Sequence, residues 1–265
     1  MFGRKKNTSD EPDDLIDDDI DEPEDESDDE EPDDDEELED EESDEDELDD
    51  DEPDDDEVLD EWQAFDAQQD WREDGPFDIN EVDLDADDIQ RLDFGSLVVT
   101  PFDGMQLQMQ VNQMSEQVQS LLVVDKKSSI EVALFAAPRR SSMLAEVRDQ
   151  MQEAADEAGG TMQLAKGPLG TEIRRKLPIT TQDGKTTEQV SRTWLAQGPR
   201  WLLRGVVMGP AALSQDVSQG EAQLLFEFFC NLVVRRGDAP RVPGELIGLE
   251  VPESVVAQMG SRSRR

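Results

Sequence analysis

The sequence predicts an α+β domain: a single, mainly antiparallel sheet of about seven or eight strands with two principal helices packed on it, preceded by a disordered tail. Three observations predict it. Apolar and β-branched runs of strand length fall into two groups of four, each group is followed by one segment of helical periodicity, and the excess charge is concentrated ahead of them. A doubly wound parallel fold would instead alternate helices with single strands.

The charge is the first element in chain order. The 265 residues carry a net charge of −45, and residues 1–60 hold 38 acidic side chains against three basic ones, Arg4, Lys5 and Lys6, a net of −35. Residues 101–265 hold 19 acidic and 19 basic residues and are neutral. With no aromatic between Phe2 and Trp62, the acidic stretch cannot bury enough apolar surface to offset chain entropy, so it is expected to stay unfolded. As a coil it spans roughly 40 Å, and further with like-charge repulsion. The expected organisation is a polyacidic tail over 1–60, an acidic junction with a short helix over 61–93, a globular domain over 94–252 and a C-terminal tail over 253–265.

At the junction, Val58, Leu59, Trp62 and Phe65 recur at helical spacing. Two readings stand: the helix docks on the domain and anchors the root of the tail, or it offers a linear motif to a partner's groove. Strands are then expected at Leu97 to Thr100, Met105 to Val111, Val118 to Val124 and Ile130 to Ala136, with Asp103-Gly104 turning the first two into a hairpin. Leu144, Val147, Met151, Ala155 and Ala158 form one stripe of a helix that Ser141 or Ser142 could cap and Gly159-Gly160 stops. A second group of strands covers Thr161 to Ala165, Thr171 to Leu177, Thr187 to Ala196 and Arg200 to Met208. The second helix is expected from the capping-box spacing Ser218-Gln219-Gly220-Glu221, with Leu225, Phe228, Phe229, Leu232 and Val233 as its apolar face and Arg235-Arg236-Gly237 at its end.

The residue inventory excludes much chemistry. There is no histidine, which removes Ser-His-Asp and Cys-His catalysis and every His-containing metal site. One cysteine, Cys230, can form neither an intramolecular disulfide nor a zinc or iron–sulfur site, and its apolar setting marks it as a small buried hydrophobe. Neither P-loop nor G-x-G-x-x-G spacing occurs. Asp83, Asp85 and Asp87 imitate the start of an EF-hand loop, but Asp88 stands where its glycine is needed and Phe94 where its bidentate glutamate is needed. No catalytic, cofactor or metal site is therefore expected. Met1-Phe2-Gly3-Arg4-Lys5-Lys6 is followed by acidic residues rather than an apolar core, and no run approaches 18 apolar residues, so a cytoplasmic protein without a membrane span is expected.

The basic residues of the domain supply the one candidate site, an anion-binding face built from Arg139, Arg140, Arg174, Arg175, Lys176, Arg200 and Arg204. Arg200 and Arg204 share strand parity, opposite Trp201 and Leu203. An ordinary surface, with arginines offset by acids, is the competing interpretation.

Gly75-Pro76-Phe77-Asp78, Phe135-Ala136-Ala137-Pro138-Arg139 and above all Gly198-Pro199-Arg200-Trp201-Leu202-Leu203-Arg204-Gly205, behind an acidic tail, resemble the actinobacterial domain-of-unknown-function family 3710 over roughly residues 70–255. The resemblance implies a cytosolic actinobacterial protein and carries no activity, cofactor or catalytic residue. The element order also resembles the α/β/α sandwich of the Mog1/PsbP-like group.

Three functions are consistent with the sequence. The first is a non-catalytic interaction or regulatory protein whose acidic tail competes for basic surfaces, either an intramolecular basic face or a basic protein partner. The second is a nucleic-acid-associated protein gated by a nucleic-acid-mimicking tail, since a chain of charge −45 is not expected to hold nucleic acid directly. The third is an enzyme with an unrecognised carboxylate or lysine site.

Overall fold

In the computed structural model, residues 59–112, 117–181 and 183–252 are described, all within one of the two compact units into which the chain divides. The expectations for residues 1–58 and 253–265 lie outside the described residues.

Seven strands form one antiparallel sheet: β4 (Gln106–Val111), β5 (Val118–Asp125), β6 (Ser128–Ala136), β7 (Thr161–Gly167), β8 (Gly170–Thr180), β9 (Thr186–Gly198) and β10 (Trp201–Met208). Their spatial order is β4-β5-β6-β10-β9-β8-β7. Two meanders, β4-β5-β6 and β7-β8-β9-β10, are thus joined by the antiparallel pairing of β6 with β10, in which Trp201 faces Ala136 and Leu203 faces Leu134. The helix α2 (Leu144–Glu157) connects the meanders and packs on one face of the sheet, where Met151 meets Ile173, Leu195 and Leu202. A second helix, α3 (Gln223–Cys230), covers the other face, where Phe228 and Phe229 join Trp194, Trp201 and Leu203. Because helices lie on both faces, β9 is buried at every position from Ser191 to Ala196.

The sequence reading needs three corrections. Leu97–Val99 (β3) does not form a hairpin with β4; it belongs to a separate four-stranded sheet, ordered β1-β11-β3-β2, with β1 (Phe77–Asp78), β2 (Leu92–Asp93) and β11 (Val233–Val234). Its three residues are all buried: Leu97 and Val99 face the main core, while Val98 joins Val82 and Val233 in an outer cluster under the 77–84 segment. An edge strand of the large sheet would have had only one face to bury. The Ser218–Glu221 capping box also does not form. Gly220 has a φ of +71°, and the Ser218 hydroxyl donates instead to Asp216 Oδ1 at 2.6 Å, so α3 begins at Gln223 with no side-chain cap. Finally, α3 stops at Cys230 and the chain passes directly into β11; Arg235, released from any helix end, pairs with Asp93 at 2.9 Å.

The junction forms the short helix α1 (Glu61–Asp66), started by a capping box between Asp60 and Gln63. It docks on the domain. Phe65 packs against Trp71, with ring centroids 4.8 Å apart. Asp66 accepts from the Thr171 amide at 2.7 Å and from Arg148 Nη1 at 2.6 Å, tying α1 to both β8 and α2.

Candidate functional site

The three consecutive cations Arg174-Arg175-Lys176 sit on β8, and the alternation of a strand sends the outer two to one face and the middle one to the other. The expected basic residues therefore separate. Arg174 and Lys176 lie on the α3 side, Arg175 and Arg204 on the α2 side. Arg139 and Arg140 are exposed in the connection between β6 and α2. Arg200 occupies the turn between β9 and β10 with a φ of +62°; its Nη2 bonds the Gly237 carbonyl at 3.1 Å, and its own carbonyl accepts from Arg236 Nε, so it fastens a loop.

On the α3 side, α3 leaves the outer part of the sheet open. There a groove of about 260 Å³ runs beside the edge strand β7, its lining including Gln163, Arg174, Arg175, Lys176, Arg192 and Ser214. At its floor is Arg192 of β9, only 2% exposed, directly opposite Arg174 on β8. Glu172 binds both guanidiniums: Oε1 accepts from Arg174 Nε at 2.7 Å, and Oε2 stands 3.3 Å from Arg192 Nε. Arg192 also donates to the Ser214 carbonyl, while its Nη1 is buried without an acceptor. Burial lowers the Arg192 pKa, Glu172 opposes that and Arg174 adds to it, yet a guanidinium stays charged at any physiological pH. Four basic residues thus border the groove, Arg174, Lys176 and Arg192 on the α3 side and Arg175 between the faces, against the carboxylate of Glu172.

Sequence reasoning missed Arg192 and Glu172. For Arg192 a signal was present: it is a lone charge inside the otherwise neutral and apolar segment 189–197, which a strand covered on both faces tolerates only as a pair, whereas Glu172 sits beside the three cations of its own strand and gave no such signal. The acidic trio at the junction is also accounted for, in part, by local bonding. Asp83 accepts from the Asp85 amide, and Asp87 is held by Arg91 at 2.8–2.9 Å, which lowers its pKa. Cys230 is buried at the end of α3, where burial and then the nearby Asp74 and Glu227 push its thiol up to about 12. Such a thiol is a poor nucleophile at neutral pH.

A seven-stranded antiparallel sheet with a helix on each face and a small second sheet define a mainly β domain with a few helices, with basic side chains lining the groove beside β7. The chain belongs to the family described as "Protein of unknown function (DUF3710)", whose model matches residues 75–258. No curated protein matches the chain. Among solved structures, it is similar to cyanobacterial PsbP (CyanoP) from Synechocystis sp. PCC 6803, with 8% identity, a TM-score of 0.33 and coverage of 55% of this chain and 92% of that one. A crystal structure from Bacteroides thetaiotaomicron VPI-5482 is similar at 13% identity and a TM-score of 0.35, covering 65% of this chain and 56% of that one. No helix among the described residues is long and apolar enough to cross a membrane.

Proposed function

We propose that this protein is a non-catalytic, cytoplasmic interaction module in which the acidic tail competes for basic surfaces. The groove of Arg174, Lys176 and Arg192 is a basic surface of the kind for which such a tail competes, whether that surface is offered by this chain or by a basic partner. The observation that supports the reading is the imbalance within the groove, four basic residues to the one carboxylate of Glu172, on a chain whose first 60 residues carry −35. Tethering supplies the tail at high effective concentration, so weak groove contacts suffice.

The test compares the full chain with one lacking residues 1–60, both verified as folded by thermal unfolding. A labelled peptide of residues 30–58 is titrated into each. The truncated chain binds it, the full chain binds it more weakly, and affinity falls as salt rises from about 0.05 to about 0.3 M. Arg174→Gln with Lys176→Gln removes the binding. Absence of binding to the truncated chain at low salt, or binding indifferent to the two substitutions, refutes the reading. A duplex DNA that binds the truncated chain more tightly than the peptide would transfer the groove to a nucleic-acid partner.

A further inference from the structure

The opposite face of the sheet holds a separate site. Between α2 and the strands lies a crevice of about 280 Å³, near the lower end of ligand-pocket sizes, roughly 300 Å³. Apart from the two arginines and Gln150 at the exposed rim, its walls are apolar: Phe135 of β6, Leu202 of β10, and Met143, Val147 and Met151 at the start and along the flank of α2. Two cations enter it, Arg204 from β10 and Arg175 from β8.

Neither arginine is spent on the fold. The Nε of each is buried with no hydrogen-bond partner, and among the described residues no carboxylate forms an ion pair with either. Arg204 lies over the Phe135 ring at 4.9 Å, a contact that leaves its edge and its donors unused. The carboxylate whose field reaches Arg204 belongs to Glu131, and that group accepts the Ser120 hydroxyl at 2.9 Å. Burial lowers the pKa of both arginines, and the charge of Arg175 lowers that of Arg204 further. Like charges and idle donors in a partly desolvated crevice are unfavourable until an anion enters. A planar guanidinium fork is matched to carboxylate or phosphate oxygens, and the Phe135, Val147 and Met151 side chains offer an apolar surface to whatever follows the head group.

We propose that this crevice binds a small amphiphilic oxyanion, with its head group held by Arg175 and Arg204 and a short apolar body against Phe135, Val147 and Met151. The site lies across the sheet from the groove, with Arg175 of β8 bordering both, and it rests on Arg204 and the α2 wall, which the groove does not share.

The test uses the full chain and calorimetric titration with four probes: octanoate, octyl phosphate, inorganic phosphate and 1-octanol. At least one amphiphilic anion binds at 1:1, about tenfold or more tighter than both inorganic phosphate and octanol, a difference that both the head and the body must supply. Whichever of the two anions binds more tightly identifies the head group. Arg204→Met and Arg175→Met keep an apolar stem of similar length and each weaken binding by about tenfold or more. Val147→Trp fills the crevice and abolishes binding with both arginines intact, whereas Lys176→Gln, on the other face, leaves it unchanged. The proposal is overturned by lack of saturable binding of both amphiphiles, by equal binding of phosphate or octanol, or by affinity that survives the Met and Trp substitutions in variants that unfold at the native temperature.

Discussion

Replacing Asp66 with alanine tests whether the junction is part of the folded domain. The Arg148 side chain is 4% exposed and is held by Asp66 at 2.6 Å; its other carboxylate neighbour, Asp60, is 3.7 Å away and 55% exposed. Solvent screens that second pair, so it contributes well under about 1 kcal/mol. Asp66→Ala therefore strands a buried guanidinium, and it also removes the acceptor of the Thr171 amide. Breaking a buried ion pair from one side costs about 3–5 kcal/mol. In a domain of this size each kcal/mol moves the midpoint by about 2–4 °C, giving a drop of roughly 6–20 °C. Urea unfolding followed by tryptophan fluorescence measures the loss, because Trp71 packs on Phe65 and donates to the Asp66 carbonyl. Adding Arg148→Met removes the stranded charge and recovers at least about half of the loss, since a buried pair exchanged for an apolar side chain is often neutral. A single-substitution loss below about 1 kcal/mol, or a double variant no more stable than the single one, refutes the reasoning.

Three further outcomes are expected. Gly205→Ala on β10 would put a Cβ 2.7 Å from Phe229 Cε2 and 2.9 Å from Ile130 Cδ1, so overpacking destabilises the protein by about 1–3 kcal/mol in urea unfolding; an unchanged or raised midpoint would contradict the packing. Trp201→Phe removes the buried bond from Nε1 to Asp78 Oδ2 at 2.9 Å and the ring under Arg72, costing about 2–3 kcal/mol, whereas a loss near zero would mean that Asp78 is solvated. For Cys230, the folded thiol titrates near 12 and the unfolded one near about 8.5–9, so the folded state holds the proton longer. Stability is full below about pH 9 and falls above it by at most about 1.4 kcal/mol per pH unit, and Cys230→Ala should flatten that alkaline slope; identical slopes would count against a buried thiol.

Strands and α2 were legible because their patterns are local. Ile130 to Ala136 reads as an almost continuous apolar run, which the observed β6 extends by two serines, and β9 and β10 are bracketed by the Asp183-Gly184 and Gly198-Pro199 turns. Pairing was less legible. Nothing near Leu97 in sequence announces Val234 as its partner, because the small sheet is assembled from segments that lie far apart in the chain. The Ser218 motif failed for a related reason: a capping box competes with other acceptors, and Asp216 two residues away takes the hydroxyl. At the site, composition located the cations but not their faces. A strand through Arg174-Arg175-Lys176 must divide them, and only the pairing of β8 with β9 and the placement of the helices decide which one meets Arg192 and which one meets Arg204.

The parallel pairing of β1 with β11 sets Phe77 opposite Val233, two residues separated by 156 positions. A nascent chain leaving the ribosome exposes Phe77, Ile79 and Val82 long before the strand that shelters them has been made. At about 5–20 residues per second, the wait is roughly 8–30 s. During that interval the first meander can close on itself, but the outer apolar cluster stays open to chaperones and to other unfinished chains. Translation intermediates arrested before residue 233 should therefore be cleaved by a limiting protease within 77–84, and the released full chain should resist it.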